Sequence, residues 1–321
     1  MDEMTEHVTL TQDSIVSDSD LIDGFLSDCQ LRRLSSETIE GYRSSLRITS
    51  RVLGKQGLSI RHLDKTSLME ILKYLVNQGY VYNTFLQYFA ALSGFSDYLI
   101  WEEIAQTNQV TPFRKRYLKQ YKNKRTIRKL ISIEEMAALI NSILDPRDKA
   151  ILTILAKTGI RRGELINLNL EDVDWSDQSI QLKPHPKRSN CTVFFDNETA
   201  VILRRWMKAR QYYGVKSDCD ALFVNERGSR LRRHGVEHAV KKHAVRLGIH
   251  DPESKKVEDH FSPHCCRHWF TTQLRRNGMR RELIKELRGD SRNEAVDLYD
   301  HIDRIELKRA YLAAIPVLGI E

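Results

Sequence analysis

Ser262-Pro-His264-Cys-Cys-Arg267-His268 reads as the start of a helix that presents a histidine and an arginine to one anionic group. Ser262 suits the N-cap and Pro263 the first helical position, so His264, Arg267 and His268 fall at i, i+3 and i+4 on one face. Free backbone N–H groups and the positive end of the helix dipole favour a phosphate there. Far upstream, Thr158-Gly159-Ile160-Arg161-Arg162-Gly163-Glu164-Leu165 sets a second arginine after a glycine turn; downstream, Leu298-Tyr299-Asp300-His301 is expected to end a short helix with a tyrosine. Two arginines, a histidine and a tyrosine are the parts needed to attack a phosphodiester without a metal.

Their order and spacing resemble the tyrosine recombinases, also called the phage integrase family. The family pattern T-G-x-R-x-x-E-L is met by Thr158 to Leu165, H-x-x-R-H by His264 to His268, and a nucleophile 32 residues beyond the second arginine (299 − 267) by Tyr299. With the helical N-terminal half included, the resemblance runs from about residue 17 to 321. The stretch from Leu287 to Asp303 looks most like archaeal members, and the family as a whole suggests the integrase of a virus, plasmid or other mobile element.

The rest of the chain supplies the setting. A length of 321 residues suggests two domains, and a formal net charge of +8 favours a polyanionic partner. Residues 1 to 28 carry eight acidic residues and no Lys or Arg, so the basic surplus lies elsewhere. Five cysteines without a paired framework, and no secretory signal or apolar run of membrane-span length, point to reduced thiols in a cytoplasm. Residues 1–16 are polar and aperiodic and are expected to form a disordered tail. From Leu21 to Glu103 three apolar stripes at helical spacing predict a four-helix bundle: Ile39, Tyr42, Leu46 and Leu53; Leu68, Ile71, Leu72 and Leu75; Phe85, Phe89, Leu92, Phe95 and Leu99. This domain, taken as 17–111, resembles the family's core-binding domain, with Arg43 and Arg47 among its candidate phosphate contacts.

Residues 112–130 hold nine basic residues and no acidic one, the pattern of an interdomain linker that tracks a nucleic-acid backbone. Lys119, Lys122, Lys124 and Arg125 are its candidate DNA contacts, with Tyr117 and Tyr121 available to sugars or bases. The second domain, 131–321, opens on a capping box, Ser132 to Glu135. It reads as mostly helices with a small antiparallel sheet built on Ile180–Leu182 and Cys191–Phe195, and a further short strand at Ala221–Val224. The expected fold class is thus mainly α, with a mixed α/β second domain.

The resemblance implies roles residue by residue. Tyr299 attacks phosphorus, Arg161 and Arg267 hold the non-bridging oxygens, and His264 donates to the phosphate or relays the tyrosine proton. A hairpin lysine protonates the leaving 5′ hydroxyl. Here the family's Gly-Lys-Gly turn is replaced by Lys183-Pro-His-Pro-Lys187-Arg188, and counting back from the next strand favours Lys187 over Lys183. A 3′-phosphotyrosyl link stores the broken bond's energy, so no cofactor is expected. Zinc is disfavoured because Cys265 and Cys266 point about 100° apart on a helix and cannot both join the His264 face. The implied partner is double-stranded DNA with specific attachment sites, bound by a homotetramer on a synapsed pair, with a C-terminal segment from Asp303 to Ile315 docked on a neighbouring protomer. The implied activity is integration or excision of a mobile element. Dimer resolution, topoisomerase-like relaxation and a DNA-binding protein of this fold without catalysis are the alternatives. One departure favours the last: where the family has histidine or tryptophan nine residues before the nucleophile, this chain has Asp290, read here as a solvated turn residue beside a Ser291 capping box.

Overall fold

The computed structural model describes residues 17–122, 129–185, 188–254, 256–290 and 302–320. The chain divides into two compact units, Met1–Arg125 and Thr126–Glu321. Among the described residues no helix is long and apolar enough to cross a membrane.

The first unit is helical because its caps and stripes agree. Ser17 and Asp20 form a capping box for α1 (Asp18–Leu31). Ser35 caps α2 (Ser36–Gly54) and Asp64 caps α3 (Lys65–Asn77). With α4 (Tyr82–Trp101) these helices enclose Phe25, Leu46, Leu68, Phe89, Leu92 and Phe95, all fully buried, so the three stripes are core as expected. The basic stretch differs from its expected role. Its first half continues the unit as α5 (Val110–Tyr117) and a 3₁₀ turn (Leu118–Tyr121). Phe113 stacks on Phe89 with ring centroids 5.5 Å apart, Tyr121 meets Phe85 edge-on at 5.2 Å, and Leu118 is buried. The apolar residues spaced through the basic run give it a packed face, which the charge pattern conceals. Tyr117 and Tyr121 therefore pack on this core rather than standing free for bases.

In the second unit the predicted capping box, Ser132 with Glu135, opens α6 (Ile133–Asn141). The hub is α7 (Pro146–Thr158), buried along nearly its whole length and packed against α9 (Asn197–Arg210), α10 (Arg233–Arg246) and α11 (Pro263–Arg276). A short α8 (Arg162–Ile166) follows it. The sheet is antiparallel, with β1 (Val173–Asp174), β2 (Ser179–Gln181) and β3 (Thr192–Phe194) in sequence order; Val173 faces Ile180, and Ile180 faces Val193. The expected strand at Ala221–Val224 is reduced to two isolated bridges, Ala221 to Asn169 and Val224 to Arg230.

The chain ends with α12 (Arg281–Arg288) and α13 (Arg304–Ala314). The expectation that α13 docks on another protomer is corrected: it packs on its own unit. Leu307, Tyr311, Ala314 and Ile315 join Phe194, Phe270 and Leu283 in one apolar cluster. Beyond it, Leu318 and Ile320 enter the main core. Glu198 accepts the backbone N–H groups of Leu318, Gly319 and Ile320, and the buried Lys157 Nζ donates to Asp196, Glu198 and the Pro316 carbonyl. Leu307, Tyr311, Ala314, Ile315, Leu318 and Ile320 are thus buried at home, while Ile305, Leu312 and Val317 stay exposed.

Candidate active site

The site is built where α7 gives way to α8. Gly159 caps α7 in the left-handed region, φ 63°, and a Cβ there would lie 2.3 Å from the Phe270 ring, so glycine is required both for the turn and for the approach of α11. The turn releases Arg161 in an extended conformation as N-cap of α8, where Glu164 accepts from its backbone N–H at 2.6 Å and its Nη1 at 2.9 Å. The Gly159 carbonyl accepts Nη1 of Arg267 at 2.7 Å. One glycine therefore aims one arginine and anchors the other.

Arg267 arrives from α11, which begins at Pro263 as expected; Ser262 stands at the N-cap without a side-chain cap bond. Its Nη2 donates to the Arg288 carbonyl at 2.9 Å, at the C-terminus of α12, where unpaired carbonyls carry the negative end of the dipole. Arg188 uses the same helix end, donating to the carbonyls of Leu287 at 2.9 Å and Arg288 at 3.1 Å, while its Nη1 holds both oxygens of Glu164 at 3.1 and 3.2 Å. Gly289 closes α12 at φ 59° with no room for a Cβ, which would meet Arg188 Cγ at 2.4 Å. Burial, followed by the neighbouring charges of Arg161 and Arg288, pulls Arg267 down to about 10, which still leaves it charged at neutral pH. For Glu164 burial opposes ionisation, but Arg188 and the donors of Arg161 outweigh it and hold the carboxyl below its ordinary range.

Asp290 completes the cluster and corrects the expectation of a solvated turn. Its Oδ1 lies 3.2 Å from Arg267 Nη2 and 3.6 Å from Arg161 Nη2, and its Oδ2 lies 3.2 Å from Arg288 Nε. The αL cap at Gly289 turns the chain back over the helix end, which is why a residue that reads as a loop aspartate is delivered to the arginines. The Ser291 capping box lies outside the described residues.

His264 and His268 stack edge-on, centroids 4.8 Å apart, on the exposed face of α11, and His264 shares with Arg161 and Arg267 a cleft of about 390 Å³. Three of the expected catalytic residues, Arg161, His264 and Arg267, are thus brought together. Lys187 and Tyr299 lie outside the described residues, as do Lys124 and Arg125. Lys183 borders Arg161 across a second cleft, but its Nζ is bonded to Asp172 at 2.8 Å, and that bond raises its pKa, the wrong direction for a proton donor. In the first unit Arg47, Lys119 and Lys122 are exposed, whereas Arg43 is half-buried and paired with Asp23 at 3.4 Å and Glu40 at 3.5 Å.

Sequence reasoning missed a basic groove of about 1130 Å³ lined by Arg227, Arg230, Arg232, Arg233, His234 and His238, with Arg233 also bordering both clefts at Arg161. The run Arg230-Leu-Arg-Arg-His234 ahead of α10 was its visible signal.

Known proteins share this architecture. The tyrosine recombinase XerC of Alcanivorax borkumensis is 26% identical over 291 residues, 89% of this chain and 90% of that one. XerD of Shewanella oneidensis is 26% identical over 297 residues, 91% and 95% of the two chains. The Tn1549 transposon integrase in complex with transposon right end DNA aligns with a TM-score of 0.65 at 17% identity, covering 90% of this chain and 97% of that one, which is a likeness of fold. The N-terminal SAM-like domain of phage integrases matches residues 22–103, within the helical first unit. The phage integrase family model matches residues 125–305, the span that carries Gly159, both arginines, His264 and Tyr299, and the chain belongs to the phage integrase family.

Proposed function

We propose that this chain is a site-specific DNA recombinase that cuts and rejoins DNA through a 3′-phosphotyrosyl intermediate, integrating or excising a mobile element. One observation carries the reading: guanidinium groups from two distant segments converge on a single anionic oxygen, at 3.2 and 3.6 Å. A phosphodiester oxygen has the charge and size to take that place, and two fixed guanidinium groups stabilise the charge that builds as phosphorus becomes five-coordinate. His264, at the rim of the same cleft, donates to the phosphate or carries the tyrosine proton. Tyr299 is the nucleophile. Lys187 is assigned the leaving 5′ hydroxyl; its support is that Lys183 is engaged by Asp172 and that the next residue, Arg188, is tied to Glu164 in the site.

The groove along Arg227 to His238 is assigned to the DNA backbone, with Arg47, Lys119 and Lys122 contributing from the first unit. Assembly into a tetramer on two paired sites, in the cytoplasm with the DNA, belongs to the same proposal. A second reading, resolution of chromosome or plasmid dimers by the same chemistry, has its support in the full-length similarity to XerC and XerD. The chemistry is tested with a suicide half-site carrying a 5′-terminal leaving strand. Wild type forms a covalent protein–DNA adduct that persists in EDTA, and Tyr299→Phe binds the DNA without forming it. An adduct in Tyr299→Phe, or none in wild type on its own attachment DNA, refutes the assignment. Genomic repeats flanking the gene separate integration from dimer resolution.

A further inference from the structure

Six charged groups crowd the site: Arg161, Arg188, Arg267 and Arg288 against Glu164 and Asp290. The two carboxylates do different work. Glu164 is 11% exposed and is locked by Arg188 and by the Arg161 backbone, on the inner side of the guanidinium groups. Asp290 is 31% exposed and, among the described residues, its carboxylate faces Nη2 of Arg161, Nη2 of Arg267 and Nε of Arg288. Nη2 of Arg161 and Nη2 of Arg267 point away from Glu164 and from the Gly159 carbonyl; the latter also donates to the Arg288 carbonyl, which leaves it one hydrogen to offer a ligand.

We propose that Asp290 is a resident occupant of the phosphodiester seat: its carboxylate sits between Arg161 and Arg267, which other groups hold in place, and gives way when the scissile phosphate arrives. This rests on the recombinase reading and deepens it, by making the strength of phosphate capture a property of residue 290. A site already filled by a tethered anion is preorganised without being open, and the incoming phosphate captures it only in proportion to the fraction of protein whose Asp290 has swung aside. Removing the charge at 290 leaves the arginine anchors at Gly159, Glu164 and Arg288 in place, so the seat remains and its competitor is lost.

The test uses inorganic phosphate as probe, titrated into the full-length protein and followed by ³¹P line broadening, beside single-turnover cleavage of the suicide half-site. Asp290→Asn is expected to bind phosphate at least tenfold more tightly than wild type. Asp290→Ser should show the same gain, and Asp290→Glu should bind no better than wild type. Arg161→Ala added to Asp290→Asn should abolish the gain. In cleavage, the half-saturating protein concentration should fall in Asp290→Asn independently of any change in the maximal rate. Phosphate binding in Asp290→Asn and Asp290→Ser equal to that of wild type, with both variants folded by circular dichroism, overturns the proposal, as does a lower maximal rate with no gain in capture. If wild type makes no covalent adduct, the recombinase reading fails while the phosphate titration still decides the role of Asp290.

Discussion

Glu164 is the residue on which most of the site's geometry hangs, since it receives the Arg161 backbone, the Arg161 side chain and Arg188 while shielded from water. Breaking a buried ion pair by removing one partner costs about 3–5 kcal/mol, because the other charge is left uncompensated. Glu164→Gln is expected to show that loss at pH 7 by urea unfolding. Its pH dependence has a definite sign: the folded pKa is depressed, so the stabilisation is fully present above the ordinary value of 4.5 and disappears as pH falls through the depressed one. Wild type and Glu164→Gln should therefore converge in urea midpoint below pH 4.5; parallel curves down to pH 3 would remove Glu164 from the account. Gly159→Ala acts through backbone and packing instead. A left-handed φ of 63° and a contact of 2.3 Å with the Phe270 ring predict a loss of roughly 2–4 kcal/mol and weaker cleavage, since the Gly159 carbonyl anchors Arg267.

Among the elements, α13 has the role that sequence periodicity left undecided. Ile305, Ala310, Tyr311, Ala314 and Ile315 read as an apolar face that fits a partner subunit and a home core equally well, and in the structure Ile305 stays exposed while Tyr311, Ala314 and Ile315 are buried. What decides is complementarity elsewhere: Tyr311, fully buried, donates to the Lys157 carbonyl at 2.9 Å, and Asn277 donates to the Ala314 carbonyl at 2.7 Å. Burying Leu307, Ile315, Leu318 and Ile320 contributes roughly 6–12 kcal/mol in all, comparable with the ~5–15 kcal/mol stability of a whole domain. Deleting residues 304–321 should therefore abolish cooperative unfolding of the second unit, not merely its assembly. Tyr311→Phe, which keeps the ring and removes one buried hydrogen bond, should cost about 1 kcal/mol. A truncated protein that retains a normal melting transition would return α13 to the surface. The same lesson applies to α5 and the 3₁₀ turn after it, where Phe113 and Leu118 were hidden in a run of like charges that reads as linker.

At the scale of the whole molecule, what was legible in the sequence was what is local. Gly159, the Arg161 turn, the Ser132 capping box and the Pro263 helix start each follow from a few adjacent residues and have the expected form. The site around them depends on segments more than a hundred residues apart, and its energetics were not legible: Arg188 read as a loop cation yet has a fully buried side chain, and Asp290 read as solvated yet faces three guanidinium groups. Long-range charge distribution, by contrast, survives folding in the aggregate, because solvated cations remain at the surface whichever way the chain packs. That makes the basic stretch testable as a whole. Each Lys or Arg that neutralises a phosphate releases about 0.9 counterion on duplex DNA, so replacing Lys119, Lys122, Lys124 and Arg125 together by Ala should lower the magnitude of the log K against log salt slope by roughly 3–4 units. Because phosphate contacts carry no sequence information, affinity should fall equally on attachment DNA and on unrelated duplex, leaving their ratio unchanged. Filter binding from 50 to 300 mM salt reads both quantities. An unaltered slope would assign these four residues to solvent, and a loss confined to attachment DNA would mean that the segment reads bases.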